Sequence, residues 1–214
     1  MKDSRVPYIL KDKSTLLLII SNIITIIIAV IENWDFVIIL FVYWCQSVII
    51  GFFAILKILN LKEFSTENFY VGYEQPKPTE ETKKFVAGYF ATGYVFMHLL
   101  YIWMIIAISS DNGYVFTRFV DSSIFIISSI VFFLIAHFYS YIYNKEEDSK
   151  KKQNIGSMFL RPFARIIPIH FAPVIFGFIY GLLTISNKIS LVAFLLLKTL
   201  IDVIMHISEH KKHG

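Results

Sequence analysis

The chain has 214 residues, 56% of them hydrophobic and 17% charged, with a mean hydropathy of +0.63. At this length a water-soluble domain needs a mostly polar surface, so the composition excludes one and leaves room for a single compact bundle without a separate globular domain. The net charge of +4 does not point to nucleic acid, because the basic residues fall between the apolar runs, where membrane topology puts them.

Lys2, Arg5, Lys11 and Lys13 precede the first apolar run. No small-x-small cleavage site follows that run, only Glu32-Asn33-Trp34-Asp35, so an uncleaved first span is expected. Six apolar segments, at about 20 residues each, are long enough to cross a hydrocarbon core of roughly 30 Å. They cover residues 15–31, 36–56, 85–109, 122–143, 166–185 and 189–207. In lipid each must satisfy its own backbone hydrogen bonds, which requires helices. The expectation is one integral membrane domain over residues 1–214. It is an all-α polytopic transmembrane helical bundle of about six spans, placed in the cell membrane with the lipid bilayer as its partner. The lone cysteine, Cys45, lies inside the second run, cannot form an intrachain disulfide and reads as a small packing residue.

Loop charges set the expected orientation. With the N-terminus inside, seventeen of the twenty Lys and Arg residues fall on the cytoplasmic side, and only Arg118 and Lys188 fall outside. Both termini are then cytoplasmic. The outer connections at 32–35 and 186–188 are tight hairpins, which predict adjacent antiparallel neighbours. The longer stretch 60–84, with Pro76 and Pro78, reads as a surface loop. Within it Thr79, followed by Glu80 and Glu81, is a suitable N-cap for the third helix. Residues 144–152 read as a solvated charged linker. Trp34, Trp103, Tyr114, Tyr143 and Phe163 fall near span ends as interface anchors.

The informative residues are polar ones inside the spans: Asn22, Gln46, His98, His137, His170, Lys198, Asp202 and His206. An ionisable side chain there costs about 2.5–3.5 kcal/mol on insertion scales, so it is expected to face the bundle interior. At 1.5 Å per residue, His137 and His170 fall roughly 7–8 Å to the cytoplasmic side of their span centres, Asp202 roughly 6 Å and His206 roughly 12 Å. Lys198, Asp202 and His206 are spaced i, i+4, i+8 on one helix face, and Lys198 with Asp202 can form a buried ion pair. Asn22 and Gln46 are expected to tie helices together, and His98 to be a hydrogen-bonded interior residue. Gly177-x-x-x-Gly181 suits close helix packing on the face that carries His170, and Pro168 and Pro173 free nearby carbonyls. No Walker loop, CxxC, HExxH or Gly-x-Ser-x-Gly is found, so no motif points to an enzyme.

Three stretches resemble an uncharacterised prokaryotic family of integral membrane proteins, domain of unknown function 6498. They are Arg165-x-x-x-x-His170, Leu197-Lys198-Thr199-Leu200-Ile201-Asp202-x-x-x-His206 with Glu209-His210, and Tyr43-Trp44-x-Gln46-x-x-Ile49-x-Gly51 running to Leu56-Lys57. The resemblance implies a membrane location and no particular activity. Gln46 stands where the family often carries an acid, and Phe90 stands near the place of a further family histidine, which puts a metal role for His98 in doubt.

Three functions remain open. One is a metal ion or haem held on the cytoplasmic half by His137, His170, Asp202 and His206, since imidazole and carboxylate are suitable ligands. Another is proton- or ion-coupled transport, with Lys198 and Asp202 as the titrating pair and His170 as a relay. The third is a structural or partner-binding membrane protein, in which the polar groups fix helix register and the partner is a second copy or another membrane protein.

Overall fold

The computed structural model describes residues 12–109, 113–150, 152–166 and 187–210. It is an all-α bundle. Helix α1 covers Lys13–Ile31, α2 Phe36–Leu59, α3 Glu80–Ser109, α4 Gly113–Asp121 and α5 Ser123–Lys150. A helical segment, α6, runs over 155–166, and α7 over Asn187–His210. Five helices are long and apolar enough to cross a membrane: Lys13–Ile31, Phe36–Leu59, Glu80–Ala107, Ser123–Glu146 and Leu191–Ser208. Apart from Ile166, the expected span at 166–185 lies outside the described residues, and with it His170, Pro168, Pro173, Gly177 and Gly181.

The polarity of the bundle is inverted relative to a protein in water. Trp103 is 70% exposed and Ile124 68%, whereas Ser14, Thr15, Ser21, Asn22 and Thr25 are buried. Helix α1 shows why. Its buried face is Ser14, Leu18, Ser21, Asn22, Thr25 and Ala29, at helical spacing. Its outward face carries Ile20, Ile23, Ile27 and Val30. Small and hydroxyl side chains let neighbouring helices approach closely, and the hydroxyls bond back to the helix: Ser21 Oγ donates to Leu18 O and Thr25 Oγ1 to Ser21 O.

Helix α1 ends in a left-handed cap. Asn33 has φ +48°, Trp34 N–H donates to Ala29 O at 2.9 Å and Asn33 N–H to Val30 O. That is the paired bonding of a Schellman turn, with asparagine at the position glycine usually takes. The turn into α2 is as tight as expected, but the hairpin's helices are not each other's main partners. Helix α1 packs chiefly on α5 and then on α7, and α2 chiefly on α3 and then on α5. The turn fixes direction, while the polar face of α1 selects other neighbours. Trp34 is not an interface anchor: it is 3% exposed, in a core with Ile38, Leu40, Tyr101 and Phe194.

The opposite end, where the basic residues gather, is more ordered than a reading of loops allows. Helix α5 continues to Lys150 through the expected linker. Strand β1, Phe64–Ser65, pairs in parallel with β2, Gln153–Asn154, and joins the two long connections. Below it Ile58, Leu61, Phe64, Val86, Ala87, Ile155 and Met158 form a satellite core. Asn154 Oδ1 accepts from Ser157 N–H at 2.9 Å and starts α6. Thr79 caps α3 as expected, its Oγ1 accepting from Thr82 N–H.

Candidate functional site

The centre of the site is built by four helices, α1, α2, α5 and α7. On α7, Lys198 and Asp202 lie one turn apart, and Lys198 Nζ is 2.6 Å from Asp202 Oδ2. The lysine is 3% exposed and the aspartate 2%. Lys198 Nζ also donates to Gln46 Oε1 of α2 at 2.6 Å and to Asn22 Oδ1 of α1 at 3.2 Å. Asn22 Nδ2 donates to Asp202 Oδ2 at 3.3 Å. The ring of Tyr43 lies 4.3 Å from the ammonium and that of Phe133 4.9 Å, both in cation–π range. The expected ion pair is present, and the expected glue residues bond to it.

One turn further, His206 Nε2 is 3.0 Å from Ser14 Oγ and 4.0 Å from Asp12 Oδ2. Asn144 Nδ2 of α5 donates to the same Ser14 hydroxyl at 3.2 Å. Asp12 caps α1 by accepting from Ser14 N–H and Thr15 N–H. Burial raises the Asp12 carboxyl. The Thr15 and Ser14 hydroxyls, the Ser14 N–H and the nearby His206 together outweigh it and hold its pKa below the usual carboxylate value.

His137 of α5 is stacked on Phe133 with ring centroids 4.2 Å apart, and its Nδ1 is 3.3 Å from Phe133 O. Its Nε2 is buried and has no hydrogen-bond partner among the described residues. The ring lines a cavity of about 40 Å³ together with His206, Lys57, Arg161 and Arg165. His98 is committed elsewhere: Nδ1 lies 2.8 Å from Tyr94 O and Nε2 3.0 Å from Ser47 Oγ. Phe90 is buried among Tyr94, Phe159 and Phe163, the last two from α6.

Three of the four proposed metal ligands thus fall among the described residues, where His137 and His206 line one cavity and Asp202 does not. Asp202 is bonded to Lys198 and Asn22, His206 lies against Ser14, and His137 is over Phe133. Among the described residues no three His, Cys, Asp or Glu side chains come together as a ligand set, and His170 lies outside them.

Sequence reasoning missed Ser14, Asp12, Asn144 and the rings of Tyr43 and Phe133. It counted Arg161 only as a topology signal, and Lys57 and Arg165 as that and as part of the family resemblance. The i, i+4 spacing of Arg161 and Arg165 on one helix face was the available clue.

Residues 8–214 match the Family of unknown function (DUF6498). No curated protein and no solved structure matches the chain.

Proposed function

We propose, for a chain that belongs to the DUF6498 family of unknown function and takes no activity from it, a multi-pass protein of the cell membrane that carries out proton- or ion-coupled transport. In this reading it has six spans and both termini in the cytoplasm. Lys198 and Asp202 are its titrating pair. The observation that carries the reading is the surplus of partners on Lys198. If Asp202 takes up a proton, the ammonium keeps Gln46 Oε1, Asn22 Oδ1 and two aromatic faces. A purely structural pair would strand its cation on losing the carboxylate, which is strongly destabilising. Here the carboxylate can change its charge while the lysine stays solvated by the protein.

The test is infrared difference spectroscopy of the full-length protein in lipid, between mildly acidic and mildly alkaline pH. A protonated-carboxyl band that Asp202→Asn removes is expected. It should be accompanied by dye-detected proton uptake into proteoliposomes under an imposed potential, lost in the same variant. No such band and no uptake above empty liposomes would overturn the reading. Bound metal or haem in the purified protein would replace it with the site of His137, His170, Asp202 and His206. The topology is tested separately: a reporter active only in the cytoplasm, fused at Gly214, should give signal. A silent fusion with an active export-side reporter would refute it.

A further inference from the structure

The cavity beside His137 is set apart by its charge. Four helices contribute to it. Lys57 comes from the last turn of α2, His137 from α5, Arg161 and Arg165 from α6, and His206 from α7. Among the described residues that line it there is no carboxylate. Asp12 approaches His206 from outside the lining set, and Glu146 and Asp148 line a neighbouring hollow that shares Lys57 and Met158. The cavity has a volume of about 40 Å³ and is open on one side. Its inner wall is apolar, formed by Ile50, Phe53 and Ala54.

We propose that this cavity binds a phosphate group at the cytoplasmic face of the membrane. Two arginines one turn apart present planar forks that match phosphate oxygens in pairs, and Lys57 adds a point charge. A second observation is that His137, one of the lining residues, has a buried Nε2 with no partner among the described residues. With Nδ1 as donor to Phe133 O, Nε2 is left as an acceptor for the P–OH of inorganic phosphate or a hydroxyl of a lipid headgroup. Lys57 lies in the last turn of α2 and Arg161 and Arg165 in α6, so the cations of the cavity lie at the basic end, the cytoplasmic side in the reading above, where basic pockets between helices suit anionic lipids. Next in sequence to the lining residues Phe53 and His137, Phe52 and Phe138 are exposed on the outward apolar faces of α2 and α5. The phosphate therefore belongs either to a lipid headgroup or to a soluble anion. The assignment does not depend on transport.

The experiment uses the full-length protein in a zwitterionic detergent, with melting followed against added inorganic phosphate, dioctanoyl phosphatidylglycerol and dioctanoyl phosphatidylcholine. Saturable stabilisation by phosphatidylglycerol but not phosphatidylcholine is expected for a lipid headgroup, and saturable stabilisation by inorganic phosphate for a soluble anion. In either case Arg161→Gln should weaken the effect about tenfold or more, the worth of one charge-assisted hydrogen bond. Arg161 is only partly buried, so its variant is chosen over Arg165→Gln, which removes a buried side chain. Lys62→Gln, an exposed change outside the cavity, should leave the effect intact. Stabilisation by neither phosphate source, or an equal response of Arg161→Gln and wild type, would overturn the proposal.

Discussion

At the end of the bundle that carries the α1–α2 turn, closure is made on backbone groups. Asn33 supplies the left-handed cap, and Arg118 of α4 lays one Nη2 across two backbone carbonyls, Glu32 O and Asn33 O, at 2.8 Å each. At the basic end closure is made by side chains far apart in the chain. Ser14 meets His206 and Asn144, Asn154 bonds Glu67 O, and β1 pairs with β2. Between the two, Lys198 gathers α1, α2 and α7. A turn needs only backbone groups and one donor. Bringing several charged groups to one depth needs many helices, and each must satisfy the polar atoms it brings into a medium without water. That concentration of polar groups at one end is what a binding or transfer function requires, and the turn end shows nothing comparable among the described residues.

The largest expected effect sharpens this contrast at Lys198. Removing the lysine leaves Asp202 buried with Asn22 as its remaining described partner. Lys198→Met should therefore cost about 3–5 kcal/mol of stability, the usual consequence of an uncompensated buried charge. Asp202→Asn should cost clearly less, because Gln46, Asn22 and two rings still hold the ammonium. The double variant should lose less than the sum. Reversible unfolding in detergent measures all three. Equal single effects that add would show that the pair is uncoupled.

Gly51 comes next. A Cβ at this position would overlap the ring of Tyr94, whose hydroxyl donates to Ser47 O at 2.8 Å. Gly51→Ala should cost about 1–3 kcal/mol as an overpacked contact, with Tyr94→Phe milder. A Gly51→Ala protein that melts with wild type would mean that α2 and α3 can part at no cost there.

How far these features were legible differs from one to the next. The apolar runs announced their helices because lipid demands long unbroken apolar stretches, and the i, i+4 step announced the Lys198–Asp202 pair because it is set within one helix. The partners Asn22 and Gln46 were visible as misplaced amides, but their meeting with Lys198 depends on tertiary packing. Helix α6 was hidden by its own composition. Arg161, Pro162 and Arg165 read as loop, although Ile155, Met158, Phe159, Phe163 and Ile166 recur at helical spacing behind the Asn154 cap. The cavity was illegible because its cations lie on α2 and α6, and only tertiary packing brings them beside His137 and His206.

At the turn end, Arg118→Ala tests whether one side chain closes it. Two charge-assisted bonds are lost, but the arginine is partly exposed, so the expected cost is about 1–2 kcal/mol. Easier proteolysis near Asn33 should accompany it. Unchanged stability and cleavage would leave the Asn33 cap as the sufficient device at that end.

The smallest effect belongs to Asp12, where the basic end begins. Its carboxylate caps α1, and replacement of such a cap by alanine costs about 1 kcal/mol. Because the Asp12 pKa is lowered on folding, its charge contributes stability above the unfolded value, near pH 4, and that contribution is lost as pH falls through the folded value. The difference in melting between wild type and Asp12→Ala should therefore be full at pH 6 and shrink below about pH 4. The carboxylate accepts bonds from Ser14 and Thr15, and the Ser14 hydroxyl is shared with His206 and Asn144. Its protonation should thus loosen the contact between α1 and α7 as well as the first turn of α1. A difference that stays constant from pH 6 to pH 3 would show that the cap acts through its geometry alone. The junction of Ser14 with His206 would then hold without help from the charge of Asp12.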